Sequence, residues 1–147
     1  MREGWKEVIL EDIAEYGKEK ILYSNVDSSN FISADNMFPE IGGITSSDYT
    51  PTKGNISKYE TGNILLSNIR PYFKKRWFAV FDGGCSNDVL VIKTKSVDVD
   101  SKFLFYNLSQ QEFFDFIMAG ANGVKMPRGN KNALIKLAET FKKDLKF

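Results

Sequence analysis

The side chains best suited to chemistry are crowded into one short block, Asn68, Arg70, Tyr72, Lys74, Lys75, Arg76 and Trp77, where four cations alternate with rings and an amide and no acid intervenes. A guanidinium presents a planar donor fork, an ammonium a point charge and an aromatic ring a stacking face. Together they suit a phosphate backbone with base edges or exposed bases beside it. A second acid-free stretch, residues 116 to 138, holds Lys125, Arg128, Lys131 and Lys136 beside Asn122 and Asn130. With Thr61 to Phe81 it carries +8, leaving 12 cations against 19 acids elsewhere, although the whole chain sums to only +1. Charge segregated in this way polarises the molecule if the two segments share a face.

Other chemistries are poorly provided for. The sequence has no histidine, which removes Ser-His-Asp and Cys-His nucleophile systems, histidine metal sites and the commonest general base. Cys85 is the only cysteine, so it supports neither a disulfide framework nor a zinc cluster and reads as a small packed residue after a Gly-Gly pair. There is no GxxxxGK phosphate loop and no dinucleotide fingerprint. A carboxylate and metal site would have to use Asp88 with Asp100 and Lys102. Asp100, however, stands where a helix is predicted to begin and reads as its cap. No cofactor is expected. The N-terminus has scattered charges and no long apolar run, and no window approaches the roughly 20 apolar residues of a membrane span. The expectation is a cytoplasmic protein with no membrane association.

The basic block needs a scaffold, and the residues around it supply one. Ile64 to Ser67, Trp77 to Phe81 and Asp88 to Lys93 are short, β-branched or aromatic and bounded by Gly62, Pro71 and Gly83-Gly84, so they read as strands. Pro71 has no backbone donor, which makes Asn68 to Lys75 the connection between two of them. Upstream, Trp5 to Val8 reads as a strand, Leu10 to Tyr16 as a short helix stopped by Gly17, and Phe31 to Ser33 as a strand. Residues 34 to 43 form an ordered loop in which Met37, Phe38 and Ile41 fold back on the core, and Ile44 to Ser57 a surface loop. Gly83-Gly84 reads as a turn or a bend in a coiled sheet. Downstream, Ser101 reads as the N-cap of a helix with Phe103, Leu104, Leu108, Phe113, Phe114, Ile117 and Met118 at helical spacing, which stops at Gly120. A last helix is predicted from Asn130, with Leu134, Leu137, Phe141 and Leu145 on one face. The irregular segment between them carries Asn122, Lys125 and Arg128.

With 147 residues and 42% apolar content, residues 1–147 are read as a single domain able to bury one core. Phosphate neutralisation falls to Lys53, Lys74, Lys75, Lys125 and Lys131. Base edges fall to Asn68, Arg70, Arg76, Asn122 and Arg128, because an amide fork matches adenine and a guanidinium fork matches guanine. Tyr72 supplies a ring among them.

From Gly4 to about Lys131 the sequence resembles the target recognition domain of type I restriction-modification specificity (S) subunits. The resemblance is carried, in order, by GWKEVILEDIAEYG, FISADNMFPEIGGI, GNILLSNIRPYFKKRWFAVFDGGCSNDVLVIK and FFDFIMAGANGVKMPRG. It implies an α+β domain, a coiled mixed β-sheet region with a short N-terminal helix and a C-terminal α-hairpin. The implied role is non-catalytic: such a domain reads one half of a split double-stranded DNA target and directs methyltransferase (M) and restriction (R) subunits, which own the S-adenosylmethionine and ATP. Asn63 stands where the family usually has Asp. Residues 131–147 also depart from the pattern, in which a linker, a long spacer helix and a second recognition domain follow the hairpin. Two alternatives stay open on the residues alone, a specificity fragment that acts as a protein-interaction module for methyltransferase subunits and a small metal-dependent nuclease.

Overall fold

The computed structural model describes residues 5–39, 43–68, 75–95, 100–108 and 138–142. In chain order its elements are β1 (Trp5–Ile9), α1 (Leu10–Ile13), β2 (Ala14–Tyr16), β3 (Lys20–Leu22), β4 (Phe31–Ile32), β5 (Asn55–Tyr59), β6 (Ile64–Ser67), β7 (Arg76–Phe78), β8 (Gly83–Cys85), β9 (Val89–Thr94), α2 (Ser101–Asn107) and β10 (Ala138–Lys142). One-turn 3-10 segments lie at Tyr23–Asn25 and Ala34–Asn36.

β6 and β9 are apolar at consecutive rather than alternate positions, the pattern of strands covered on both faces. They pair antiparallel at the centre of a four-stranded sheet ordered β2-β9-β6-β7. Successive side chains then point to opposite faces. Ile64, Leu66, Leu90 and Ile92 pack with Ala14 and with Leu104 and Leu108 of the helical segment. Leu65, Val89 and Val91 pack the other way, with Ile32, Met37, Tyr59, Trp77 and Cys85. The second set joins the central sheet to an outer, mixed sheet ordered β3-β5-β8-β4, in which β4 and β8 run parallel. A third ladder pairs β1 with β10 antiparallel, Trp5 opposite Lys142.

Several expectations change. The helix over Leu10 to Tyr16 is a single turn, Leu10–Ile13, after which Ala14–Tyr16 pairs with Thr94 to Ile92 of β9. Helix nucleation is costly and one turn repays little of it, so strand pairing that buries Ala14 completely wins. Gly83-Gly84, read as a turn or a bend in a coiled sheet, lies in a sheet strand, Gly83–Cys85. A Cβ on Gly83 would collide with the Asn30 carbonyl oxygen and come within 2.5 Å of the Tyr59 hydroxyl, so glycine permits a close approach of strands there. The strand expected to reach Phe81 ends at Phe78, with Ala79 still bonded to the residues before β6, donating to Asn63 O (2.9 Å) and accepting from Gly62 N–H (2.8 Å). The surface loop from Ile44 gives way at Asn55 to β5, and Phe38 is 44% exposed whereas Met37 is buried. Ala138–Lys142, placed on the last helix by its spacing, is a strand: pairing with β1 satisfies backbone groups across five residue pairs. Ile41, and the rest of the predicted α-hairpin at residues 109–137 and 143–147, with Leu145, lie outside the described residues. Among the described residues no helix is long and apolar enough to cross a membrane.

Candidate nucleic-acid interface

The hairpin of β6 and β7 sets the geometry of the basic block. Its register runs Ile64 to Phe78, Leu65 to Trp77 and Leu66 to Arg76, and one more rung, Ser67 N–H to Lys75 O at 3.0 Å, closes its open end. The connection predicted from Pro71 therefore starts where the ladder ends. On one side the Asn68 N–H donates to Asp88 O at 2.8 Å, tying the mouth to the residue before β9. On the other, the Lys75 ammonium donates to the Ala34 carbonyl at 2.7 Å and the Gly43 N–H to Arg76 O at 2.9 Å.

Ala34 is itself held firmly. Ser33 caps the 3-10 turn, its N–H donating to Asn36 Oδ1 at 2.6 Å, and the buried Asn36 amide donates to Phe31 O and Thr45 O, both at 2.9 Å. A buried amide whose oxygen and nitrogen are all engaged fixes the backbone around it. The hairpin mouth is thus clamped between β9 and the 33–45 loop. Sequence reading did not find this clamp, although Ser33-x-x-Asn36 is a local capping pattern that pointed to half of it.

The structure places the candidate residues unevenly. Asn68 and Arg76 are half-buried at the two sides of the mouth, and Lys75 stands next to Arg76 with its ammonium on Ala34. Lys53 is exposed on the turn into β5, where Gly54 has a φ of 82°, and so belongs to the outer sheet rather than the hairpin. Arg70, Tyr72, Lys74, Asn122, Lys125, Arg128 and Lys131 lie outside the described residues. Trp77, counted among the stacking rings, is a core residue: it is 8% exposed, with Tyr59 edge-on at 5.5 Å and Phe81 at 5.1 Å.

Two acids are engaged by backbone donors, and the thiol is buried. Asp82 accepts from the Thr61 N–H at 2.8 Å and hydroxyl at 3.1 Å, which holds its carboxyl below the usual carboxylate range. Asp100 accepts from the Lys102 N–H at 2.9 Å as the cap of α2. Burial pushes the Cys85 thiol up to about 12. Among the described residues no group of three or more His, Cys, Asp or Glu could hold a metal ion. A cleft of about 420 Å³ lies beside the mouth, lined in part by Lys18, Lys20, Ser57 and Asn87, none of which sequence reading singled out.

No protein-family model matches the chain. It is 34% identical over 80 residues, 54% of its length, to the type I restriction enzyme EcoDI specificity subunit of Escherichia coli, of which the match spans 17%. Among solved structures, the type I restriction-modification S subunit from M. genitalium superposes with a TM-score of 0.64 over 95% of this chain and 35% of that one, at 16% identity. The HsdS subunit from Thermoanaerobacter tengcongensis gives 0.67 over 94% and 38%, also at 16% identity. The chain therefore spans well under half the length of the relatives it matches. The chain is thus similar in sequence, over about half its length, to a type I restriction enzyme specificity subunit and, over nearly all of it, in fold to two S subunits.

Proposed function

We propose that this chain reads double-stranded DNA, recognising one half of a bipartite target and directing methyltransferase and restriction subunits to it. The observation that carries the reading is the 34% identity to a specificity subunit, on a fold whose central hairpin closes at the edge of the acid-free basic connection. On this reading the clamped mouth carries Arg70, Tyr72 and Lys74 with Asn68, Lys75 and Arg76 at its sides. Asn122, Lys125, Arg128 and Lys131 reach the same DNA, and Lys53 adds an outlying phosphate contact. The chain has no catalytic role and needs no cofactor of its own. Its place is the cytoplasm, where the target DNA and the partner subunits are.

Selection of bound sequences from a randomised duplex pool, followed by salt titration, tests this directly. A short fixed motif should emerge, and if about five phosphates are neutralised the slope of log affinity against log salt should be roughly −4 to −5. No enrichment together with a flat salt response overturns the reading. Supplied with magnesium, ATP and S-adenosylmethionine, the purified chain should neither cut nor methylate. Cleavage that disappears on Asp88→Asn or Asp100→Asn would identify a nuclease instead.

A further inference from the structure

Between β2 and β3 the chain passes from the central to the outer sheet. Gly17 N–H donates to Val91 O at 2.8 Å and Lys58 N–H to Glu19 O at 3.0 Å, so residues 17–19 strap the flank of β9 to the flank of β5. The crossing is tight: a Cβ on Gly17 would lie 3.1 Å from Val91 Cγ1. The two sheets part beside this strap and leave the 420 Å³ cleft, floored by Val89 to Val91 and lined by Tyr16, Lys18, Lys20, Ser57 and Asn87.

The described lining is rich in donors and contains no carboxylate. Lys18 and Lys20 are both exposed, and Lys20 Nζ donates to Ser57 Oγ at 3.2 Å, which holds it over the cleft. The acid between them, Glu19, is engaged by Lys58 at 3.3 Å and so is partly neutralised. Two ammonium groups, a hydroxyl and an amide around one opening match the acceptors of a phosphate group. The opening is also well placed. Asn87 adjoins Asp88, whose carbonyl receives the Asn68 N–H, so the cleft lies beside the first residue of the basic connection.

We propose that this cleft is a docking site for a backbone phosphate of bound DNA, gripped by Lys18 and Lys20 with Ser57 and Asn87 as neutral donors. The proposal rests on the DNA-reading function above and adds a contact that fixes how the duplex lies across the hairpin mouth without reading any base. Phosphate contacts of this kind set register and orientation.

The test compares the wild-type chain with Lys18→Gln/Lys20→Gln on two duplexes, the selected sequence and an unrelated one, across a salt series. Both lysines are exposed, and an unchanged thermal midpoint checks that the variant folds. Affinity for the two duplexes should fall by the same factor, about 5- to 20-fold at low salt, and the salt slope should become less steep by about 1. In parallel, titrating the wild-type chain with inorganic phosphate should shift the amide NMR signals of Lys20, Ser57 and Asn87. Equal affinity and slope for variant and wild type overturn the proposal while leaving the DNA-reading function intact. So does loss confined to the selected sequence, which would make the lysines base readers, and so does a phosphate response with no effect on DNA, which would mark a free-anion site. If the wild-type chain itself binds neither duplex, the functional reading is what fails.

Discussion

Lys75 shows how a residue's neighbours change what its type suggests. Composition makes it a phosphate contact, yet its ammonium reaches the Ala34 carbonyl at 2.7 Å and ties the hairpin to the 33–45 loop. Lys75→Ala should therefore cost about 1.5 to 3 kcal/mol of folding stability, the range for a hydrogen bond to a charged group, besides weakening binding to every duplex alike. Urea unfolding separates the two effects: unchanged stability with weakened binding would show that the ammonium serves DNA rather than the clamp. Arg70→Ala should act differently, relaxing preference at one base position at a cost of about 1 to 3 kcal/mol on the selected site. Selected-site sequencing of that variant checks it, and an unchanged motif would remove Arg70 from the readers. Cys85 makes the opposite point, because its chemistry is suppressed. Burial raises its thiol to about 12, so the folded state disfavours the thiolate. The unfolded chain ionises near the ordinary thiol value of about 8.5. Stability is thus fully present below that value and declines as pH rises from it toward the folded value. Iodoacetamide should label Cys85 at pH 8 only when urea is added, and Cys85→Ala should abolish the first part of the alkaline decline. Rapid labelling of the native chain would contradict the buried site.

At the scale of elements, what was legible is what local pattern encodes. β6 and β9 announce themselves by consecutive apolar residues, and the start of α2 by Asp100 beside Ser101. The hairpin mouth followed from Pro71 and its flanks. β8 was hidden because glycines are poor strand formers, and only the approach of Asn30, Tyr59 and Ile56 explains them. β2 and β10 were hidden because partners distant in sequence make them strands. The same distance concealed the clamp, since Lys75 and Ala34 are 41 positions apart. β8 gives a graded test. Gly83→Ala drives a methyl into a backbone oxygen and should cost about 3 kcal/mol or more. Gly84→Ala meets the end of the Ile56 side chain at 2.5 Å, which can rotate away, and should cost about 1 to 2 kcal/mol. Urea midpoints decide, and equal losses would mean that the two positions do not differ as the packing says.

For the whole molecule the governing features are two sheets sharing one apolar seam and a ladder that closes the chain on itself. The core is built from strands far apart in sequence, so forming it requires long loops to close, and slow folding is the expectation for such a topology. The β1–β10 ladder has a consequence for protein engineering. Because Trp5 lies opposite Lys142, the outer ends of these strands are one strand spacing apart, about 5 Å. A linker of about five residues can therefore join 142 to 5, and the order of the polypeptide can be cut elsewhere. The turn at Lys53 and Gly54 suits the cut, since nothing lies within 4 Å of where a Gly54 side chain would stand. A permutant beginning at Gly54 and ending at Lys53 should melt cooperatively within a few degrees of the parent and bind the same selected duplex. One that is unfolded by circular dichroism would refute the pairing of β1 with β10. If it folds, the β6–β7 hairpin moves from mid-chain to within about ten residues of a free terminus, a handle for attaching a probe or an effector beside the hairpin.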